Sequence, residues 1–207
     1  MLELLNFKKR YNTKLVLDIP LLKIENGIYW LKGENGSGKT TLLKILTGLL
    51  PFEGDVKFNN ISIKKDPIVY RQKIGWAEAE PLFPFFMTGI DIITLYKGIR
   101  NATQKEVDLL MSLFNMNDFI GNTIATYSAG MTKKLSLVLA LLGNPLLVLL
   151  DEPLITLDEQ AFDLVCNFIV EKNKSAGTFF IMSSHHDLDV ESVSGKQLRL
   201  VDNTIVT

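Results

Sequence analysis

The chain has 207 residues, 47% hydrophobic and 22% charged, and its 22 basic and 23 acidic side chains leave a net charge of -1. That length is enough for one sizeable core, and the charge balance argues against broad attraction to nucleic acid or an anionic membrane. A single cysteine, Cys166, excludes an internal disulfide. It sits in the apolar stripe Phe162, Val165, Cys166, Ile169, Val170, which marks a buried thiol rather than a reactive one.

The first third reads as strands at residues 2–7, 15–19, 28–31 and 56–58, with turn signals at Asn26-Gly27 and Glu53-Gly54. A helix is expected over 39–46, stopped near Gly48 and Pro51. The middle is helical. Thr88 with Asp91, and Thr103 with Glu106, each put a capping hydroxyl three residues before a carboxylate. Val107, Leu110, Met111 and Phe114 then give a helical stripe. The last third alternates: a helix over 129–142, a strand over 146–150, a helix over 159–173, a strand over 179–182 and a weak terminal pair around 198–206.

Continuous apolar strands between helices point to an α/β fold, a mainly parallel sheet covered on both faces. A strand-rich lobe stands at its front, with a helical insertion at about 82–135 inside a single domain spanning 1–207. The N-terminus carries Glu3, Lys8, Lys9 and Arg10 with no apolar run behind them, so no secretion signal is expected. The apolar region 135–150 is interrupted by Gly143, Asn144 and Pro145 and is too short to span a bilayer. A cytoplasmic protein is expected, with any membrane-spanning part supplied by another chain.

Gly33-Glu34-Asn35-Gly36-Ser37-Gly38-Lys39-Thr40 matches G-x-x-x-x-G-K-[ST] in full, followed by Thr41, between an expected strand and an expected helix. Its glycines let successive backbone N–H groups turn inward onto phosphate oxygens, and the helix start adds positive charge there. Lys39 would reach the β- and γ-phosphates of a nucleotide such as ATP, and the Thr40 hydroxyl would take a site on Mg²⁺. Further on, the apolar run 146–150 ends in Asp151-Glu152. A strand buried on both faces would deliver those carboxylates to the edge where open α/β sheets bind ligands. Asp151 would hold Mg²⁺ and Glu152 would polarise the attacking water.

The order of these motifs resembles the ATP-binding cassette (ABC) family across nearly the whole chain. Tyr127-Ser128-Ala129-Gly130-Met131 resembles the family's signature, Asp151-Glu152-Pro153 its Walker B segment, and Thr156-Leu157-Asp158 its D-loop. Ser183-Ser184-His185 resembles the switch-histidine segment, and Tyr11 the aromatic that stacks on adenine. The resemblance implies a P-loop ATPase of ABC type that pairs head-to-tail, as a homodimer or with a second ABC ATPase subunit. ATP and Mg²⁺ would lie between one subunit's phosphate loop and the other's Ser128, Gly130 and Asp158. Ser128 suits a helix cap, so the positive end of that helix would face a γ-phosphate. His185 would contact the γ-phosphate; His186-Asp187-Leu188 also fits the family's form, but His185 follows the strand directly. A separate transmembrane permease would be the driven partner, placing the chain on the inner face of the cell membrane. The motifs look more like those of exporters.

The sequence departs from the family at Ala79, where a glutamine usually binds Mg²⁺ and water; Glu78 or Glu80 is expected to fill part of that role. Ala129 and Met131 replace a glycine and a glutamine of the signature. Two other functions compete. A soluble cassette of translation or DNA repair would carry two cassettes or a coiled-coil or basic insertion, none of which is present. An ATP-binding regulatory subunit with weak hydrolysis is favoured by Ala79 and opposed by Lys39, Asp151 and Glu152.

Overall fold

Alternation within the apolar strands decides the architecture. In β8 (Phe179–Ser183), Phe179 and Ile181 enter one core while Phe180 and Met182 enter another. The computed structural model describes residues 1–184 and 193–206. Its main sheet has six strands in the order β10-β9-β3-β8-β7-β6. These are β3 (Ile28–Lys32), β6 (Ile74–Ala77), β7 (Leu147–Leu150), β8, β9 (Lys196–Val201) and β10 (Thr204–Val206). All neighbouring pairs are parallel except β9 with β10, which turn back through Asp202 and Asn203, both at positive φ. Two consecutive positive-φ residues make the tight hairpin that matches strand twist.

One face of this sheet is covered by α5 (Ala129–Leu141), α6 (Glu159–Ala176) and, continuous with them, α3 (Gly89–Arg100) and α4 (Gln104–Leu113). The other face is covered by α1 (Lys39–Leu46), α2 (Pro67–Gln72) and a second, antiparallel sheet. That sheet runs β2-β1-β4-β5, from β1 (Leu2–Tyr11), β2 (Lys14–Ile24), β4 (Glu53–Phe58) and β5 (Ile61–Ser62). Both capping boxes form as expected, at Thr88 with Asp91 and at Thr103 with Glu106. Among the described residues, no helix is long and apolar enough to cross a membrane.

Several elements run further than their composition suggests. β2 continues past Pro20 because it is an edge strand, where a missing N–H breaks no ladder bond. α6 continues to Ala176 and stops at Gly177, whose φ of 64° is the left-handed helix terminus glycine favours. α2, which has no apolar period of its own, buries one side chain, and Arg100 donates to its Arg71 and Gln72 carbonyls. Tyr70 is fully buried and donates its hydroxyl to the Leu46 carbonyl at 2.8 Å, at the end of α1.

Burial, helped by the charge of Asp55, raises the Tyr70 phenol well above its ordinary value. A raised acid stabilises the fold fully below the unfolded-state value near 10 and loses that contribution as pH rises beyond it. Tyr70→Phe should therefore cost about 1 kcal/mol at pH 7, from the orphaned Leu46 carbonyl. The wild-type advantage should shrink by roughly 1.4 kcal/mol per unit above pH 10. Denaturant unfolding of both proteins at pH 7 and pH 10.5 measures the two differences.

Candidate functional site

The parallel register brings four strand ends to one edge. β3 leads into the phosphate loop, β8 ends at Ser183, β7 leads into Asp151 and β6 into Glu78. β8 lies between β3 and β7, so Ser183 stands between the loop and the acidic pair.

The loop closes onto α1 through Gly36 and Gly38, at φ of 78° and 108°, where a β-carbon would be strained. No side chain caps α1, so its first N–H groups are left without a side-chain acceptor beside the loop. A β-carbon on Gly33 would lie 2.7 Å from the Ser37 hydroxyl. That hydroxyl is a buried polar atom without a hydrogen-bond partner among the described residues. An uncapped helix start behind a glycine-rich loop, with an unmatched buried hydroxyl, fits an anionic phosphate chain. Lys39 donates to the carbonyls of Gly33 and Glu34 at 2.8 and 3.0 Å, spanning the loop. Desolvation lowers its pKa, while Glu152 and Asp151 oppose that shift.

A cleft of about 540 Å³ opens beside the loop, lined by Tyr11, Asn35, Gly36, Gly38, Lys39, Thr40 and Thr41, with Lys14 and Val16. That volume suits a ligand of nucleotide size. Tyr11 is 46% exposed at the end of β1, with the Lys9 ammonium 4.6 Å from its ring centre. A larger depression, lined in part by Lys23, Tyr29, Lys196 and Arg199, lies toward the amino ends of β3 and β9 and includes none of the loop residues.

Asp151 is 2% exposed, and both its oxygens are satisfied. Oδ2 accepts from the Thr40 hydroxyl at 2.7 Å and Oδ1 from the Ser183 hydroxyl at 2.5 Å. Ser183 Oγ also accepts the backbone N–H of Glu152 at 2.9 Å. Glu152 itself has a φ of 47°, unusual for a residue with a side chain. Thr40 and Asp151 thus set two hard oxygens side by side at the loop, a donor pair that suits Mg²⁺, which takes few protein ligands and completes its shell with phosphates and water. Among the described residues no group of three or more His, Cys, Asp or Glu is placed to hold a metal ion.

Lys133 was not legible as part of the site. Its ammonium is buried and donates to the carbonyls of Glu78, Ala79 and Asp151 at 2.8, 3.2 and 2.9 Å. Desolvation pushes its pKa down to about 8, against the raising effect of Asp151 and Glu152. The available signal was a lysine in register with Ser136, Leu137 and Ala140, on the buried stripe of α5. Ala79 offers the site only its backbone. Glu78 pairs with Lys44 of α1 at 3.6 Å and accepts from the Trp76 ring N–H at 3.4 Å, while Glu80 is exposed.

Ser128, Gly130 and Asp158 form a second cluster and none of them lines the cleft. Ser128 caps α5 by accepting from Met131 N–H at 3.2 Å, as its sequence position suggests. Lys134 pairs with Asp158 at 2.9 Å, and Asp158 caps α6 through Ala161 N–H at 2.8 Å. His185 and His186 lie outside the described residues.

Gly130 is the tightest point of this cluster, because a β-carbon there would lie 2.9 Å from the Thr156 carbonyl. Gly130→Ala should destabilise the protein by about 1–3 kcal/mol through this overpacking, whereas Ala129→Ser, on the exposed side, should stay within about 0.5 kcal/mol. Denaturant unfolding of the two variants separates them.

The family model described as "ABC transporter" matches residues 21–155. The cytochrome c biogenesis ATP-binding export protein CcmA of Reclinomonas americana is 32% identical over 186 residues, 87% of this chain and 82% of that protein. The tungstate uptake system ATP-binding protein TupC of Peptoclostridium acidaminophilum is 31% identical over 210 residues, 97% and 91% of the two chains. A solved ATP binding subunit of an ABC transporter superposes with a TM-score of 0.90 at 22% identity, over 100% of this chain and 88% of that one. The match to the family model and the two relatives agree with the geometry of the loop and the acidic strand end: the chain belongs to the ABC transporter family, as an ATPase domain.

Proposed function

We propose that the chain drives a separate membrane-spanning partner by hydrolysing ATP at sites shared with a second ABC ATPase subunit, on the inner face of the cell membrane. The observation that carries this reading is the separation of the two clusters. Lys39, Thr40 and Asp151 meet at the phosphate loop, while Ser128, Gly130 and Asp158 lie outside that cleft, where Lys134 of α5 pairs with Asp158 and Gly130 packs against the Thr156 carbonyl. Each chain then carries two half-sites, which a head-to-tail pair completes. A solved ATP-binding cassette of this fold is a dimer bound to ADP and Pi, which supports the pairing. CcmA is an export protein and TupC serves uptake, so direction belongs to the membrane partner.

In this reading Tyr11 stacks on the adenine, and residues Gly33 to Thr41 wrap the phosphates with backbone N–H groups. Lys39 releases the Gly33 and Glu34 carbonyls to reach the terminal phosphates. Thr40 and Asp151 would hold Mg²⁺, which would supply positive charge against that developing on the phosphate oxygens. Glu152 takes a proton from the attacking water, and His185 steadies the γ-phosphate. The start of α5, without an acidic residue in its first turn, offers a positive helix end to the partner subunit's nucleotide. Glu78, already beside α1, is the carboxylate best placed to assist in the absence of a glutamine at 79. The alternative of slow, regulatory turnover has Ala79 in its favour, because its side chain carries no donor atom.

Leu82, Phe85 and Phe86 are 94%, 70% and 72% exposed on the segment before α3. Three such side chains together are the surface we assign to the membrane partner.

Two measurements test this reading. Glu152→Gln should lower phosphate release by about 10²–10⁴-fold while ATP binding persists; unchanged turnover would sink the catalytic assignment. Replacing Phe85 and Phe86 together with serine should leave turnover of the isolated chain within about twofold and abolish co-purification with a membrane protein, since both rings are exposed.

A further inference from the structure

We propose that Ser183 is a positioning residue for ATP hydrolysis: its single hydroxyl orients the Asp151 carboxylate and the Glu152 backbone together. The inference rests on reading Asp151 as a Mg²⁺ ligand and Glu152 as the base.

The geometry allows the Ser183 hydroxyl one donated bond and at least one accepted bond, and both are used. It donates to Asp151 Oδ1 at 2.5 Å and accepts from Glu152 N–H at 2.9 Å. The first bond fixes the carboxylate plane. Oδ2 is left facing Thr40, which donates to it at 2.7 Å. Without the Ser183 bond the carboxylate could rotate about its Cβ–Cγ axis and lose the edge it offers beside Thr40.

The second bond acts on the neighbouring residue. Glu152 sits at φ 47°, a left-handed conformation that a β-carbon disfavours. Such a conformation persists only where its surroundings hold it. Ser183 supplies a buried anchor for that N–H, and thereby sets the direction in which the Glu152 side chain leaves the backbone. Ser183 has no measurable exposure, so water does not replace its bonds.

β-sheet register puts this hydroxyl in place. Leu150 pairs with Met182 and Leu31 with Ser183, so Ser183 stands one residue beyond the paired end of β7, level with the last turn into the phosphate loop. The Ser183 hydroxyl bonds to Asp151 and Glu152, and Ser183 lines no part of the cleft beside the loop. It acts through Asp151 and Glu152 alone.

The test uses Ser183→Ala and Ser183→Cys, the first smaller and the second slightly larger than serine, and both removing or weakening the two hydrogen bonds. Ser183→Thr keeps the hydroxyl. Ser62→Ala serves as a control, because it removes a buried hydroxyl-to-carboxylate bond of 2.8 Å to Asp55, far from the site. Three quantities are read on the full chain. They are kcat and KM for ATP, the Mn²⁺ midpoint by electron paramagnetic resonance with a non-hydrolysable ATP analogue, and binding of that analogue in EDTA.

Partners that orient a metal-binding carboxylate are typically worth 10–100-fold, so Ser183→Ala and Ser183→Cys should lower kcat and raise the Mn²⁺ midpoint by about 10–100-fold. KM for ATP and analogue binding in EDTA should stay within about threefold, because the phosphate loop does not use Ser183. Ser183→Thr should recover the Mn²⁺ midpoint, and Ser62→Ala should change only stability. Wild-type kcat and Mn²⁺ midpoint in a folded Ser183→Cys protein would overturn the proposal, as would an equal loss of binding in EDTA. Asp151→Asn and Glu152→Gln run alongside. If they also retain full activity, the reading of the site itself fails rather than the role of Ser183.

Discussion

Asp151 is an ionisable carboxylate that folding removes almost entirely from water. Stranding such a group without partners costs several kcal/mol, more than most single contacts in a domain of this size contribute. Its two oxygens are satisfied from different parts of the chain, by Thr40 at the start of α1 and by Ser183 at the end of β8. Those partners arrive only if β3, β8 and β7 keep their parallel register. A slip of one residue would turn Ser183 away, and with it every apolar side chain of β8. The requirement of one buried carboxylate and the packing of two hydrophobic cores therefore select the same strand alignment.

Lys133 bears the complementary charge. Its ammonium reaches three carbonyls rather than a carboxylate oxygen, one of them the carbonyl of Asp151. Desolvation favours the neutral amine, which has only two protons to donate, whereas three acceptors and the nearby carboxylates favour the cation. With its pKa held at about 8, the charged form prevails at neutral pH and all three carbonyls are satisfied. The buried hydrophobic stripe of α5 can thus end in a cation without leaving an unpaired group in the core.

The parts of the site written in consecutive residues were legible in the sequence. The phosphate loop, the Asp151-Glu152 strand end and the caps at Thr88, Thr103 and Ser128 each depend on spacing within about ten residues. Ser183 and Lys133 depend on register between distant segments, and nothing near either residue names its partner. The segment 183–185 reads as a histidine segment, and nothing in its sequence marks the serine that bonds Asp151. The same reason accounts for α2, whose six residues have no apolar period and are held by the buried ring of Tyr70 and by the distant Arg100. It also accounts for β2, where Pro20 reads as a break until the strand is seen to lie at a sheet edge. The parallel core was legible because strands buried on both faces must be apolar throughout.

The substitution at position 79 takes on a different meaning beside Lys133. A glutamine there would connect the segment before α3 to the nucleotide through its own side chain, a link that Ala79 cannot make. Lys133 connects the same segment by another route. Its ammonium joins the carbonyls of residues 78 and 79 to the carbonyl of Asp151, and its helix begins at Ser128. The exposed aromatics Phe85 and Phe86 follow a few residues later on that segment. On the proposed reading, displacement of the segment by a membrane partner is felt at Asp151 and at the signature helix together, because one buried ammonium holds both. Coupling can then survive the loss of the glutamine, since the connection needs only backbone carbonyls at 78 and 79, which every residue supplies.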